Sequence, residues 1–154
     1  MTSSLQEFSG QELFQADPRR LYDLLTDLDS LAASIPDLVS AERTGEHSLK
    51  CVVRPGFSFL RGTMKLAISL ADLVPPKSAT MQVSAQGIGV GMRLASNLAI
   101  EPEGTGSRLF WTGRIEEMTG LITSVSPALV SAAAQRTIRH AWQQVRQRLG
   151  EAAA

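Results

Sequence analysis

The sequence predicts an α+β fold: one curved antiparallel sheet of about seven strands closed by a single long C-terminal helix. Three observations predict it. Residues 38–117 alternate apolar and polar side chains and are broken by short turn sequences; short turns pair strands antiparallel, because parallel pairing needs long crossovers. A sheet that is apolar on one face must be covered. Gly120 to Leu149 is the only stretch long enough to cover it, and from Val130 its apolar residues recur at helix spacing. With 154 residues, 1–154 reads as a single domain with a core over about 5–149.

The elements follow in order. Leu5 to Ala16 is a first strand carrying Phe8, Leu13 and Phe14, with Gly10 at a bulge. Asp17-Pro18 reads as a helix start, a capping aspartate before a first-turn proline. That helix spans about Pro18 to Thr26, and a second short one spans about Leu28 to Ser34, stopped by Pro36. Strands are expected at Leu38–Thr44, Leu49–Arg54, Phe57–Ala71, Thr80–Ile88, Met92–Ile100 and around Leu109–Ile115. On the last helix, Val130, Ala134, Ile138, Ala141, Trp142, Val145 and Leu149 form an apolar stripe. Arg136, Arg139, Gln143, Arg146 and Gln147 are expected on the polar face. Pro127 sits where the stripe changes side. Either the main helix starts at Ser126-Pro127 or it kinks there. The segment Gly120 to Val125 is then expected to form the mobile lip of a pocket.

Composition excludes several classes. The formal net charge is zero and apolar residues make up 44%, which points to a globular protein that binds no nucleic acid. The charge is uneven: residues 1–50 hold nine Asp/Glu against four Lys/Arg, and residues 120–154 hold four Arg against one Glu. A basic helix suits an anionic membrane surface or an acidic partner, although Arg near a helix C-terminus also complements the helix dipole. The single Cys51 excludes a disulfide framework and a cysteine zinc site, and suggests a reducing, intracellular setting. No signal peptide is legible in MTSSLQEFSG, and no stretch approaches a membrane span.

Groups for chemistry are scarce. His47 falls in a turn and His140 on the polar side of the helix, with no metal or dyad spacing. Cys51 reads as a small core residue. Asp23, Asp27 and Asp29 read as a solvated face. Gly87-Ile88-Gly89-Val90-Gly91 precedes a strand, not a helix, so it is a hairpin and not a phosphate loop. What remains is apolar: Met64, Met81, Met92 and Met118, and the small run Ser131-Ala132-Ala133-Ala134 on the covering helix. A filled core and a ligand cavity both fit that inventory. For a cavity, the expected lining is Met64, Leu66, Met81, Val83, Leu94, Leu98 and Trp111 on the sheet and Ser131, Ala134 and Ile138 on the helix. Arg93 is a further candidate for a polar contact. The lip would be Leu31, Ile35, Leu121, Ile122 and Val125.

The order of elements resembles the START-like (SRPBCC) helix-grip superfamily and, within it, the CoxG-like family of carbon monoxide dehydrogenase subunits. The residues that carry the resemblance are Phe8-x-Gly10, Asp17-Pro18, Asp27, Ile35-Pro36-Asp37 and Leu60-Arg61-Gly62. They continue with Gly87-x-Gly89, Gly104-Thr105-Gly106 and Gly120 opening the last helix. The resemblance implies a deep hydrophobic cavity, no catalytic centre, no metal and no cofactor. It implies an apolar ligand, lipid- or quinone-like, and a partner among molybdenum-containing CO dehydrogenase-type enzymes, served in maturation or membrane recruitment. It also implies a bacterial cytoplasmic protein with transient contact at the inner face of the cell membrane. The apolar C-terminal anchor of some members has no counterpart here. Two other readings compete. One is a polyketide cyclase- or dehydratase-like enzyme drawing on Arg93, Asn97, Tyr22 or a histidine. The other is an assembly factor acting through its surface alone.

Overall fold

The computed structural model describes residues 6–33, 35, 37–54, 62–87, 89–120, 123 and 126–150. Strand β1 (Gln6–Phe14) leads into helices α1 (Pro18–Thr26) and α2 (Leu28–Ala33). Six strands follow: β2 (Leu38–Gly45), β3 (Ser48–Val53), β4 (Met64–Val74), β5 (Ser78–Gly87), β6 (Val90–Glu103) and β7 (Gly106–Gly120). Helix α3 (Pro127–Arg148) closes the chain. All pairs are antiparallel and the sheet order is β1-β7-β6-β5-β4-β3-β2. The first strand therefore returns beside the last, which brings β1 to one sheet edge and leaves β2 at the other.

Local chemistry explains the helix boundaries. The Asp17 carboxylate accepts from the Arg20 N–H at 2.9 Å and Pro18 opens α1, because proline's missing N–H is no loss in a first turn. Ser126 caps α3 in the same way, accepting from the Leu129 N–H at 3.3 Å, with Pro127 first in the helix. Of the two alternatives for Pro127, the helix start is the one observed. Gly120 consequently does not open α3. It ends β7 at φ +78, where a Cβ would collide with the Gly89 carbonyl. Leu121, Ile122, Ser124 and Val125 of the expected lip segment lie outside the described residues, as do Pro36, residues 57–61 of the expected fourth strand and Ile88. Gly87 and Gly89, both at positive φ, belong to the β5–β6 hairpin. A strand follows them, not the helix that a phosphate loop would need.

Strand parity and helix seating correct three expectations. Gly10 sits at no bulge, since β1 pairs with β7 without a register break from Gln6 to Phe14. Leu13 is 55% exposed while Phe14 is buried, because neighbours on a strand face opposite ways. Arg146, expected on the polar face of α3, is 9% exposed. It reaches β1, where its guanidinium meets the Glu12 carboxylate at 3.1 Å and the Leu13 carbonyl at 3.2 Å and lies 4.7 Å from the centre of the Phe14 ring.

The core falls into three parts. Phe14, Leu21, Leu25, Leu98, Leu109 and Val145 pack α1 and the C-terminal end of α3 onto one end of the sheet. Val53, Met64, Ala85, Val90, Ile115 and Val130 pack the N-terminal end of α3 onto the other. Leu28, Ala32, Leu49, Cys51, Ile68 and Leu70 pack α2 onto β3 and β4.

Candidate ligand site beneath the C-terminal helix

Helix α3 is anchored at both ends and loosely covered in between. Val130 is buried near its start and Val145 and Leu149 near its end. Between them Ser131, Ala134, Ile138 and Ala141 are only half-buried, although they share the side that faces the sheet.

The sheet beneath explains why. One row of directly paired residues crosses its concave face: Phe8, Gly113, Ser96, Met81 and Leu70, from β1 through β7, β6 and β5 to β4. Its centre is made of the two smallest side chains. A Cβ placed on Gly113 would meet nothing within 4 Å among the described residues. The Ser96 hydroxyl donates to the Thr112 carbonyl at 2.7 Å and so is satisfied locally. Around these two lie half-buried apolar side chains, Met81, Val83, Leu94, Met92 and Leu66, where a filled core would leave them closed to water. The middle of the sheet under α3 is thus less closely covered than its two ends.

A cleft lies at the β1 edge, where Phe8 is the direct partner of Gly113. The cleft has a volume of about 410 Å³ and is lined by Glu7, Phe8, Ser9, Trp111, Gln135, Ile138 and Arg139, within the usual range for small-molecule sites. Phe8, Trp111 and Ile138 give it an apolar floor, and the rest are a polar rim. The place of Trp111 depends on Gly10, its direct partner on β1: a Cβ there would lie 2.8 Å from indole Cζ2. Trp111 stacks at a tilt on Trp142, centroids 6.1 Å apart, and Trp142 meets Phe14 edge-on at 6.3 Å. Both indole N–H groups are buried without a hydrogen-bond partner among the described residues.

The expected lining residues divide as follows. Trp111 and Ile138 line the cleft. Leu66, Met81, Val83, Leu94, Ser131 and Ala134 are half-buried under or on the middle of α3. Met64 and Leu98 are buried in the two end clusters, at 5% and 9% exposure. Leu31 and Ile35 pack with the α2 cluster. Arg93 is not at the site. It lies between inward-facing Met92 and Leu94, so it points outward and pairs with Glu117 at 2.8 Å. The rim residues Glu7, Ser9, Gln135 and Arg139 and the central Gly113 escaped the sequence reading. Only Gly113 carried a usable signal, two residues from Trp111 and from Ile115 on the same strand face.

Groups suited to acid–base work stand elsewhere. The Tyr22 hydroxyl donates to the Ser78 carbonyl at 3.0 Å, and burial, chiefly, raises its pKa above the ordinary value. Asn97 accepts from the Thr80 hydroxyl on the outer face. His47 is exposed in the β2–β3 turn, and His140 is about 200° round α3 from Ile138. Asp23 pairs with Arg19, and Asp27 and Asp29 with Arg43, so the three do not form one cluster. Burial pushes the Cys51 thiol up, which keeps it unreactive. The described residues contain no group of three or more potential metal ligands and no helix long and apolar enough to cross a membrane.

Solved structures share this architecture. A conserved protein from Geobacillus kaustophilus superposes with a TM-score of 0.87 at 17% identity, covering 94% of this chain and 95% of that one. A START superfamily protein from Mycobacterium smegmatis gives 0.69 at 13% identity, over 92% and 95%. Ara h 8.0201 gives 0.70 at 12% identity, over 95% and 99%. No curated protein sequence matches the chain significantly. At these identities the structures speak for the fold alone. The amino-acid sequence goes further: the carbon monoxide dehydrogenase subunit family CoxG matches residues 10–150, nearly the whole chain, and the protein belongs to that family.

Proposed function

We propose that the protein binds an apolar small molecule, lipid- or quinone-like, in a hollow beneath α3. It does so without catalysing a reaction, as an accessory of a CO dehydrogenase-type molybdenum hydroxylase in maturation or membrane recruitment. The observation that carries this reading is the open space that the described residues leave at Gly113, ringed by half-buried apolar side chains. Burying these against a ligand is favourable by about 25 cal/mol per Å² of apolar surface. The proposed contacts are Leu66, Met81, Val83 and Leu94 on the sheet and Ser131, Ala134 and Ile138 on the helix, with Met64 and Leu98, buried in the end clusters, bounding the site at its two ends. Trp111 closes the β1 side, and Leu31 and Ile35 stand at the far lip. Membership of the CoxG family supports the choice of partner. The exposed Arg136 and Arg139 on a helix without acidic residues suit transient contact with an anionic membrane.

Native mass spectrometry of the protein purified from its own host tests the ligand. The expected result is a stoichiometric apolar adduct released by organic solvent. A ligand-free protein that also fails to take up added quinones and lipids would overturn the reading. Affinity capture from the same host is expected to recover a component of a molybdenum hydroxylase.

A further inference from the structure

The cleft at the β1 edge has a charge feature that an apolar pocket does not need. Its rim includes Arg139, which is exposed and makes no hydrogen bond or ion pair among the described residues. The other arginines of the second half of α3 are engaged, Arg146 by Glu12 and Leu13 and Arg148 by Ser30. Helix α3 contains no Asp or Glu, so Arg139 has no acidic neighbour on its own helix. Glu7 shares the rim but has a partner of its own. Gln135 spends one amide N–H on Ser131 at 3.4 Å and keeps a second, and Ser9 adds a hydroxyl at the opposite side.

We infer that the cleft takes an anionic single-chain amphiphile, its hydrocarbon chain on Phe8, Trp111 and Ile138 and its charged head on Arg139. This rests on the proposed reading of the hollow as an apolar ligand site and adds the class of head group and the side from which the ligand is held. The chemistry follows from the donor set. A guanidinium offers paired N–H donors to a carboxylate or phosphate and cannot be deprotonated. The rim adds neutral donors beside it. The volume of about 410 Å³ lies at the lower end of small-molecule sites, on the order of 300–1,000 Å³, and suits one chain over two.

The chain's two tryptophans make the test direct, since Trp111 lines the cleft and Trp142 stacks on it. Tryptophan emission is followed while the full chain is titrated with dodecanoate, dodecyl phosphate or dodecanol, each below its aggregation limit. At low salt, at least one of the two anions is expected to bind about fivefold more tightly than dodecanol, the scale of an exposed charge pair. High salt removes the difference. Arg139→Gln is expected to remove it too, leaving dodecanol unchanged, while Arg136→Gln, one turn away and outside the lining of the cleft, weakens the anions by less and leaves dodecanol unchanged. The comparison between dodecanoate and dodecyl phosphate assigns the head group within the anionic class. Both substitutions are on the solvent side of the helix, and circular dichroism checks their folding. Equal affinity for all three probes, or indifference to Arg139→Gln, overturns the head-group inference and leaves the apolar site standing. Failure of all three to bind overturns the head-group inference, and failure of an added quinone to bind as well overturns the apolar-site reading with it.

Discussion

A single missing methyl group on β1 decides where the largest side chain of the cleft lies. Gly10 is paired with Trp111, and the indole rests where its Cβ would be, 2.8 Å from Cζ2. In sequence, Phe8-x-Gly10 is conspicuous, but its local reading is a bulge. The true cause lies far downstream in the chain and becomes visible only when β1 is paired with β7. Gly10→Ala should therefore push the ring toward the cleft. Overpacking of this kind costs about 1–3 kcal/mol, offset in part by about 0.5–1 kcal/mol from removing a strand glycine. The expected net loss is about 1 kcal/mol in urea unfolding, together with shifted tryptophan emission. Adding Trp111→Phe should restore the stability. Unchanged stability and emission in Gly10→Ala would show that the ring does not depend on the glycine.

Elements whose boundaries rest on neighbours in sequence were legible, and those that rest on distant partners were not. Asp17-Pro18 and Ser126-Pro127 announce α1 and α3, since cap and first-turn proline act within a few residues. Arg146 does not announce its burial, because its partners Glu12, Leu13 and Phe14 come from the other end of the chain. Asp27 belongs to the first kind and couples two elements. Its backbone N–H bonds to the Leu24 carbonyl at the end of α1, and its carboxylate accepts from the Ser30 hydroxyl at 2.7 Å and the Ser30 N–H at 3.1 Å at the start of α2. The Ser30 hydroxyl, chiefly, holds this carboxyl below its ordinary value of 3.8. Burial opposes the effect, and the Ser30 N–H, Arg43 and Arg148 add to it. The folded chain thus releases the proton more readily than the unfolded one. The stabilisation is complete above the ordinary value and is lost as pH falls through the lower, folded value. Asp27→Asn keeps a capping side chain but removes the titration. Melting temperature followed from neutral to acidic pH should decline less steeply in the variant below about pH 4. Parallel curves would mean that Asp27 contributes nothing to the acid sensitivity.

At the scale of the molecule, the sheet packs on its helix through buried clusters at two ends, with half-buried side chains between them. Its general form was legible from hydrophobic periods and from the order of the elements, even though the three solved structures described above share only 12–17% identity with the chain. The location of the proposed hollow was less so. Which apolar side chains fill the end clusters and which border open space depends on how α3 is seated, and Met64 and Met81, alike in sequence, part company there. Gly113 makes the difference testable. Its added Cβ meets no atom of the described residues within 4 Å, and its φ is not in the left-handed region, so Val is tolerated by the backbone and favoured in a strand. Gly113→Val should raise stability by about 0.5–1 kcal/mol through the lost glycine flexibility, with a further gain from apolar burial. The same methyl groups project into the hollow and should weaken binding of a neutral apolar probe. Thermal unfolding and probe titration of one variant thus separate three cases. Raised stability with lost binding is expected of an empty ligand site. Raised stability with intact binding would move the ligand elsewhere, and lowered stability would mean that the space above Gly113 is already filled in solution.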